Sequence, residues 1–181
     1  SPLLGGEKKK LFHSVVMKLL YLVKRIRPDM LVAVQYLTTK TQKPTEEDDK
    51  KLQRILKYLV GTRELTMFIS ANNPIVVNAF VDASHAAHKD MKGHTGGVTT
   101  LGTGGVHFKS AKQKLTAKSS TEAELIAVSD YVSTPMQLVE ILKEVGYDAR
   151  GVQLHQDNQS TMKLMIKGRP ASDMTRHIKI R

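Results

Sequence analysis

The chain has 181 residues, 40% of them hydrophobic, no cysteine, and 28 Lys and Arg against 17 Asp and Glu for a net charge of +11. That length allows one ordinary domain or a modest domain with a smaller appendage. The lack of cysteine excludes disulfides, thiolate catalysis and cysteine-based zinc sites and fits an intracellular protein. No apolar run approaches the ~20 residues of a membrane-spanning helix, and SPLLGGEKKK places its charges after its apolar residues, unlike a secretory signal. The positive excess favours a polyanionic partner, most commonly nucleic acid.

The first sixty residues read as helices. LFHSVVMKLLYLVKRI places Leu11, Val15, Leu19, Leu22 and Ile26 near helical spacing, and RPDMLVAVQYLTT reopens at Pro28, which a first helical turn tolerates. Thr45 before Glu46, Glu47 and Asp48 marks a capped, dipole-matched start, followed by Leu52, Ile55, Leu56 and Leu59, with Gly61 as the stop. Strands are expected next: LTMFIS, then PIVVNAFVDAS beyond the turn-prone Ala71-Asn72-Asn73-Pro74, then GGVTTLG and GVHFKS joined as a hairpin through Gly102-Thr103-Gly104-Gly105. Ser119 and Glu122 form an S-x-x-E capping box opening a helix that runs to about Val145 and kinks at Pro135. GVQLHQ is a further strand and NQSTMKLMI a further helix.

Asp82 closes a run that is apolar on both faces, with Ile75, Val77, Ala79 and Val81 on one side and Val76 and Phe80 on the other. A carboxylate ending a doubly buried strand needs compensation, because an unpaired buried charge costs several kcal/mol or shifts its pKa. Two more acids occupy comparable places. Glu124 shares a helix face with Ala127, Val128 and Tyr131, whereas Glu122, two residues away on roughly the opposite side, is accounted for by the cap. Asp157 ends the last strand and reads either as a helix N-cap or as a metal ligand; Asp82 reads as a turn carboxylate beside Ser84 or as another ligand. Together the three acids suggest a divalent cation, Mg²⁺ or Mn²⁺.

Lys109, Lys112, Lys114 and Lys118 follow one another with no acid among them, just before the segment carrying Glu124. They read as a solvated basic loop or as a phosphate-contacting surface, with the basic N-terminal helices around Lys24, Arg25 and Arg27 as the other place for such a surface. His85, His88 and His94 have spacing that a zinc site could use, but no fourth ligand presents itself. Met162 and Met165 read as packing.

FVDAS, HTGG, KSAKQKLTAKSSTEAELIAVSD, QDNQST and TRHIKIR, in that order, resemble the ribonuclease H domain of copia-like retrotransposon polyproteins. LLYLVKRIRPDMLVAVQYLTT and PTEEDDKKLQRILKYLVGT resemble the C-terminal part of the reverse transcriptase that precedes it. The resemblance implies a helical tail over residues 1–62 and, over 63–181, a mixed five-stranded α/β sheet flanked by helices that lacks its C-terminal helix. It also implies hydrolysis of the RNA strand of RNA–DNA hybrids with two Mg²⁺ or Mn²⁺ ions held by Asp82, Glu124 and Asp157. Lys109, Lys112, Lys114, Lys118, Asn158, Gln159 and Ser160 are then nucleic-acid contacts. The remainder of the reverse transcriptase is a partner, and the setting is a cytoplasmic virus-like particle or the nucleus, with no membrane. Two points differ from the family's pattern: Lys179 occupies a position commonly acidic, and the helix that would carry a fourth metal-binding Asp is expected beyond Arg181. A decayed or truncated remnant that binds nucleic acid without turnover is the alternative.

Overall fold

Residues 1–167 are described by a computed structural model, in which the chain divides into Ser1–Phe68 and a second unit beginning at Ile69. In the first unit the apolar spacing closes into three helices, α1 (Gly6–Val23), α2 (Leu31–Thr38, entered through a 3-10 turn at Pro28–Met30) and α3 (Glu46–Gly61). The buried stripe of α1 is Phe12, Val16, Leu19 and Val23, while Leu11 and Ile26 are exposed. The inward face is thus turned by about one residue from the stripe expected through Leu11 and Val15, with Leu19 common to both. At α3 the cap is reciprocal: Thr45 Oγ1 accepts from the Asp48 N–H, and Asp48 Oδ2 accepts from the Thr45 N–H at 3.0 Å. Arg27 is buried, donating to the Asp29 carboxylate at 2.8 Å and to the Thr62 carbonyl at 3.1 Å. Its charge is therefore committed to the fold rather than to a ligand.

The second unit contains β1 (Ile75–Ser84), β2 (His94–Thr100), β3 (Gly105–Lys112), α4 (Ser120–Tyr131), α5 (Ser133–Glu144), β4 (Ala149–His155) and α6 (Gln159–Lys167). The sheet order is β3-β2-β1-β4, antiparallel across the first two pairs and parallel between β1 and β4. Among the described residues it has four strands rather than five. TRHIKIR, including Lys179, lies outside the described residues.

LTMFIS forms no strand. Leu65 and Phe68 are exposed, and Ser70 and Asn72 reach only the β2–β3 turn, through the Thr103 and Leu101 carbonyls. Strand propensity without an apolar surface to cover does not order this segment as sheet. The long helix expected to kink at Pro135 is two helices. The break at Val132 falls three residues earlier, because a proline lacks the N–H for the preceding turn and its ring crowds the carbonyl four residues back, that of Tyr131.

One face of β1 carries Ala79 and Val81 against Ala127, Val128 and Tyr131 of α4, and Ile75 and Val77 in a cluster with Val139 of α5 and Ala149 of β4. The other face is not buried: Phe80 is 45% exposed and stacks on His155 at 4.3 Å between ring centroids. The expectation of a doubly buried β1 is therefore corrected, since the helices contacting β1 pack on its Val77–Val81 side. Gly97 fixes the opposing distance. A Cβ there would sit 2.5 Å from Tyr131 Cε2, so only glycine lets this ring lie against β2, where its hydroxyl meets Thr99 Oγ1 at 2.7 Å.

Candidate metal centre

Asp82, Glu124 and Asp157 each offer a carboxylate oxygen, and these oxygens lie within 4.8 Å of one another. β1 supplies Asp82, α4 supplies Glu124, and the turn from β4 into α6 supplies Asp157. The parallel pairing of β1 with β4 carries both chains to the same sheet end, so sequence segments 75 residues apart arrive together.

Burial is distributed differently from the sequence expectation. Asp82 and Asp157 are exposed, whereas Glu124 is 6% exposed. The desolvation cost assigned to Asp82 therefore falls on Glu124. Burial pushes the Glu124 carboxyl above the ordinary glutamate range, and the charges of Asp82 and Asp157 push it further, against hydrogen bonds from Gln156 and the Ala83 main chain. Among the described residues no ion pair reaches any of the three acids. Three converging carboxylates, one of them desolvated and none paired with a cationic side chain, offer the oxygen ligands that a hard divalent cation could use.

The competing roles of the acids separate in the structure. Thr161 N–H donates to Asn158 Oδ1 at 3.0 Å, so Asn158 caps α6 and Asp157 is left free of that duty. Ser119 Oγ accepts from the Glu122 N–H at 3.2 Å, while Glu122 Oε2 accepts from the Lys118 N–H at 2.6 Å instead of from the capping residue itself. Glu122 thus secures the helix entry. Glu122→Gln should accordingly cost about 1 kcal/mol or less and leave metal binding in place, while Glu124→Gln should abolish metal binding; calorimetric Mn²⁺ titrations and thermal melts of both variants check the pair. Loss of Mn²⁺ binding in the Glu122 variant with retention in the Glu124 variant would reverse the assignment.

One contributor has no distinctive signal in the sequence. Gln156 Nε2 donates to Glu124 Oε2 at 2.9 Å, and its Oε1 accepts from the Asn158 N–H at 2.9 Å, bracing the buried carboxylate against the turn that carries Asp157. Its position immediately before the DNQS segment was the available clue. Thr161 Oγ1 adds a contact to the Thr121 carbonyl at 3.4 Å, joining α6 to the first turn of α4.

The basic segment divides. Lys109 Nζ donates to the Asp130 carbonyl at 2.5 Å and Lys112 pairs with Asp90 at 2.7 Å, whereas Lys114 and Lys118 are exposed. Gln159 and Ser160 are exposed in the first turn of α6. The histidines do not assemble with the acids. His88 Nε2 and His94 Nδ1 share a hydrogen bond at 3.1 Å, His94 Nε2 faces Ser110 Oγ at 2.8 Å, and His85 Nε2 faces the Ala117 carbonyl at 3.1 Å. Among the described residues no helix is long and apolar enough to cross a membrane.

By sequence, the chain is similar to retrotransposon polyproteins. The chain is 36% identical over 136 residues to the retrovirus-related Pol polyprotein from transposon RE1 of Arabidopsis thaliana, covering 75% of this chain and 9% of that protein. It is 30% identical over 178 residues to the corresponding polyprotein from transposon TNT 1-94 of Nicotiana tabacum, covering 98% of this chain and 13% of that protein. A putative transposon Ty5-1 protein of Saccharomyces cerevisiae is 32% identical over 123 residues, 67% of this chain and 40% of its own length. The chain thus spans about a tenth of the two plant polyproteins. No family model and no solved structure matches it.

Proposed function

For a chain related to a segment of the Pol polyproteins of retrotransposons, we propose ribonuclease H activity: metal-dependent hydrolysis of the RNA strand of an RNA–DNA hybrid at Asp82, Glu124 and Asp157. The observation that carries the reading is the convergence of these three carboxylates within 4.8 Å at one end of a mixed sheet flanked by helices. Mg²⁺ or Mn²⁺ would be held by all three acids, and when bound supplies charge neutralisation at the scissile phosphate and an activated water. The protein's own part is positional. Asp82 and Asp157 present exposed carboxylates from two adjacent strand ends, Glu124 supplies a third from beneath, and Gln156 keeps the Glu124 carboxylate turned toward them. No side-chain nucleophile is required, because water is the attacking group.

The test uses a hybrid labelled on each strand in turn. With Mg²⁺ the RNA strand should be cut and the DNA strand left whole, and chelation should stop the reaction. Equal cutting of duplex DNA would replace the reading with a general nuclease, and tight hybrid binding without cutting would favour a remnant that binds only.

Lys114 and Lys118 are the proposed phosphate contacts beside the site, with Lys109 and Lys112 contributing less because each already has a partner within the fold. Changing Lys114 and Lys118 together to Gln should flatten the slope of log affinity against log salt by up to ~2. Preference for hybrid over duplex DNA should survive, since it rests on 2′-hydroxyls and helix shape. Binding measured at several salt concentrations decides it. An unchanged slope, with flattening in a Lys24→Gln/Arg25→Gln variant instead, would move the surface to the end of α1.

A further inference from the structure

Gln113 is the least expected buried residue of the second unit. It directly follows β3, is 1% exposed, and carries an uncharged amide that a methionine of similar length could replace sterically. Burying an amide is costly unless its groups are bonded, and Gln113 Oε1 has no hydrogen-bond partner. The amide nitrogen offsets that cost. Nε2 donates to the Ala123 carbonyl at 2.8 Å and to Thr95 Oγ1 at 3.2 Å, while the Gln113 main-chain N–H donates to the Gly93 carbonyl at 2.9 Å.

The two side-chain acceptors are not arbitrary places in the fold. The Ala123 carbonyl belongs to the peptide whose nitrogen is that of Glu124. Thr95 lies opposite Ala83 in the β1–β2 register, one residue along from the Asp82–Gly96 pair. One amide therefore connects the main chain of Glu124 to the strand pair that carries Asp82. Gly93 leaves the room it needs: a Cβ there would fall 2.3 Å from Gln113 Oε1 and 2.9 Å from the Ser84 carbonyl oxygen.

We propose that Gln113 is a positioning residue for the three-acid centre, setting the distance between Glu124 and Asp82 by tying the Ala123–Glu124 peptide to β2. Gln156 holds the carboxylate end of Glu124 and Gln113 its backbone end, so the buried acid is fixed from both sides. Such anchoring matters because a metal site tolerates displacements of only about 0.5 Å in its donors. The inference rests on the proposed metal centre for its consequence, but the anchoring is a property of the folded chain.

The test compares Gln113→Met, which keeps the volume and removes both hydrogen bonds, with Thr95→Val, which leaves the bond to Ala123. In the Gln113 variant a crystal structure should show the Glu124 carboxylate displaced from Asp82 by about 0.5 Å or more, and Mn²⁺ affinity followed by electron paramagnetic resonance should fall roughly tenfold. The Thr95 variant cuts the side-chain tie to β2 but keeps the bond to Ala123 and the main-chain bond from Gln113 to the Gly93 carbonyl, so Glu124 should shift less, and Mn²⁺ affinity fall less, than in the Gln113 variant. Should Gln113→Met fail to fold, Gln113→Asn, whose amide is one methylene too short for the Ala123 carbonyl, takes its place with the same expectations. A folded Gln113 variant with Glu124 unmoved and Mn²⁺ affinity unchanged overturns the inference, even if its melting temperature drops. If the wild type binds no Mn²⁺, the metal reading fails, and the position of Glu124 still decides the role of Gln113.

Discussion

Asp157→Asn should lower hybrid cleavage about a thousandfold and leave the fold intact. The substitution keeps size and shape and removes one negative charge from the metal-binding set. Loss of several kcal/mol of transition-state charge stabilisation, about 4 kcal/mol, corresponds to roughly 10³ in rate. Stability should stay within about 0.5 kcal/mol, because Asp157 is exposed and Asn158, not Asp157, caps α6. Asp82→Asn should match it in rate. Its Oδ1 accepts from the Ala83 N–H at 2.8 Å, a bond an amide oxygen can retain. Single-turnover cleavage under saturating Mg²⁺, with thermal melts alongside, reads both quantities. A rate within tenfold of wild type for the Asp157 variant would remove that residue from the centre.

Mn²⁺ affinity should fall about tenfold for each pH unit below the titration of Glu124 and level off above it. A cation requires the carboxylate form, so a site whose free state holds one proton must release it on binding. The raised pKa of Glu124, caused first by burial and then by Asp82 and Asp157, places this fall above the range of an ordinary glutamate. The same shift fixes the sign of the metal-free stability. Because the folded protein holds the Glu124 proton more tightly than the unfolded chain, this residue's contribution is fully present below the unfolded pKa and is lost as pH rises through the folded one. Glu124→Gln should therefore raise the melting temperature of the metal-free protein at neutral pH and give no gain under acidic conditions. Calorimetry in two buffers of different ionisation enthalpy counts the released proton, and melts across the pH range check the stability. An affinity independent of pH from acid to neutral would show that Glu124 does not belong to the donor set.

The centre was legible in the sequence as three acids in separated segments, because strand ends and helix faces follow from local periodicity. Asp82 near the end of β1, Glu124 on the face of Ala127, Val128 and Tyr131, and Asp157 after β4 all lie where period-two and period-3.6 patterns put them. The cap at Thr45, the β2–β3 hairpin and the separation of Glu122 from Glu124 likewise depend on residues within one turn or one hairpin. Local chemistry determines features of that range.

Tertiary structure decided what depends on a neighbour from elsewhere in the chain. LTMFIS has strand composition but no apolar partner, so it stays irregular; β1 has apolar residues on both sides, yet its packing against α4 leaves Phe80 on an open face. The same packing assigned the desolvation to Glu124 instead of Asp82, and so determined which acid carries the shifted pKa. Lys109 and Lys112 were equivalent to Lys114 and Lys118 in composition until Asp130 and Asp90 came within reach of them. Gln113 and Gln156 carry no periodic or charge signal, since an uncharged amide reveals its role only through the acceptors that folding places 2.8–2.9 Å away. Burial and hydrogen bonding are properties of pairs of residues, and a linear sequence specifies such pairs only after the chain has closed upon itself.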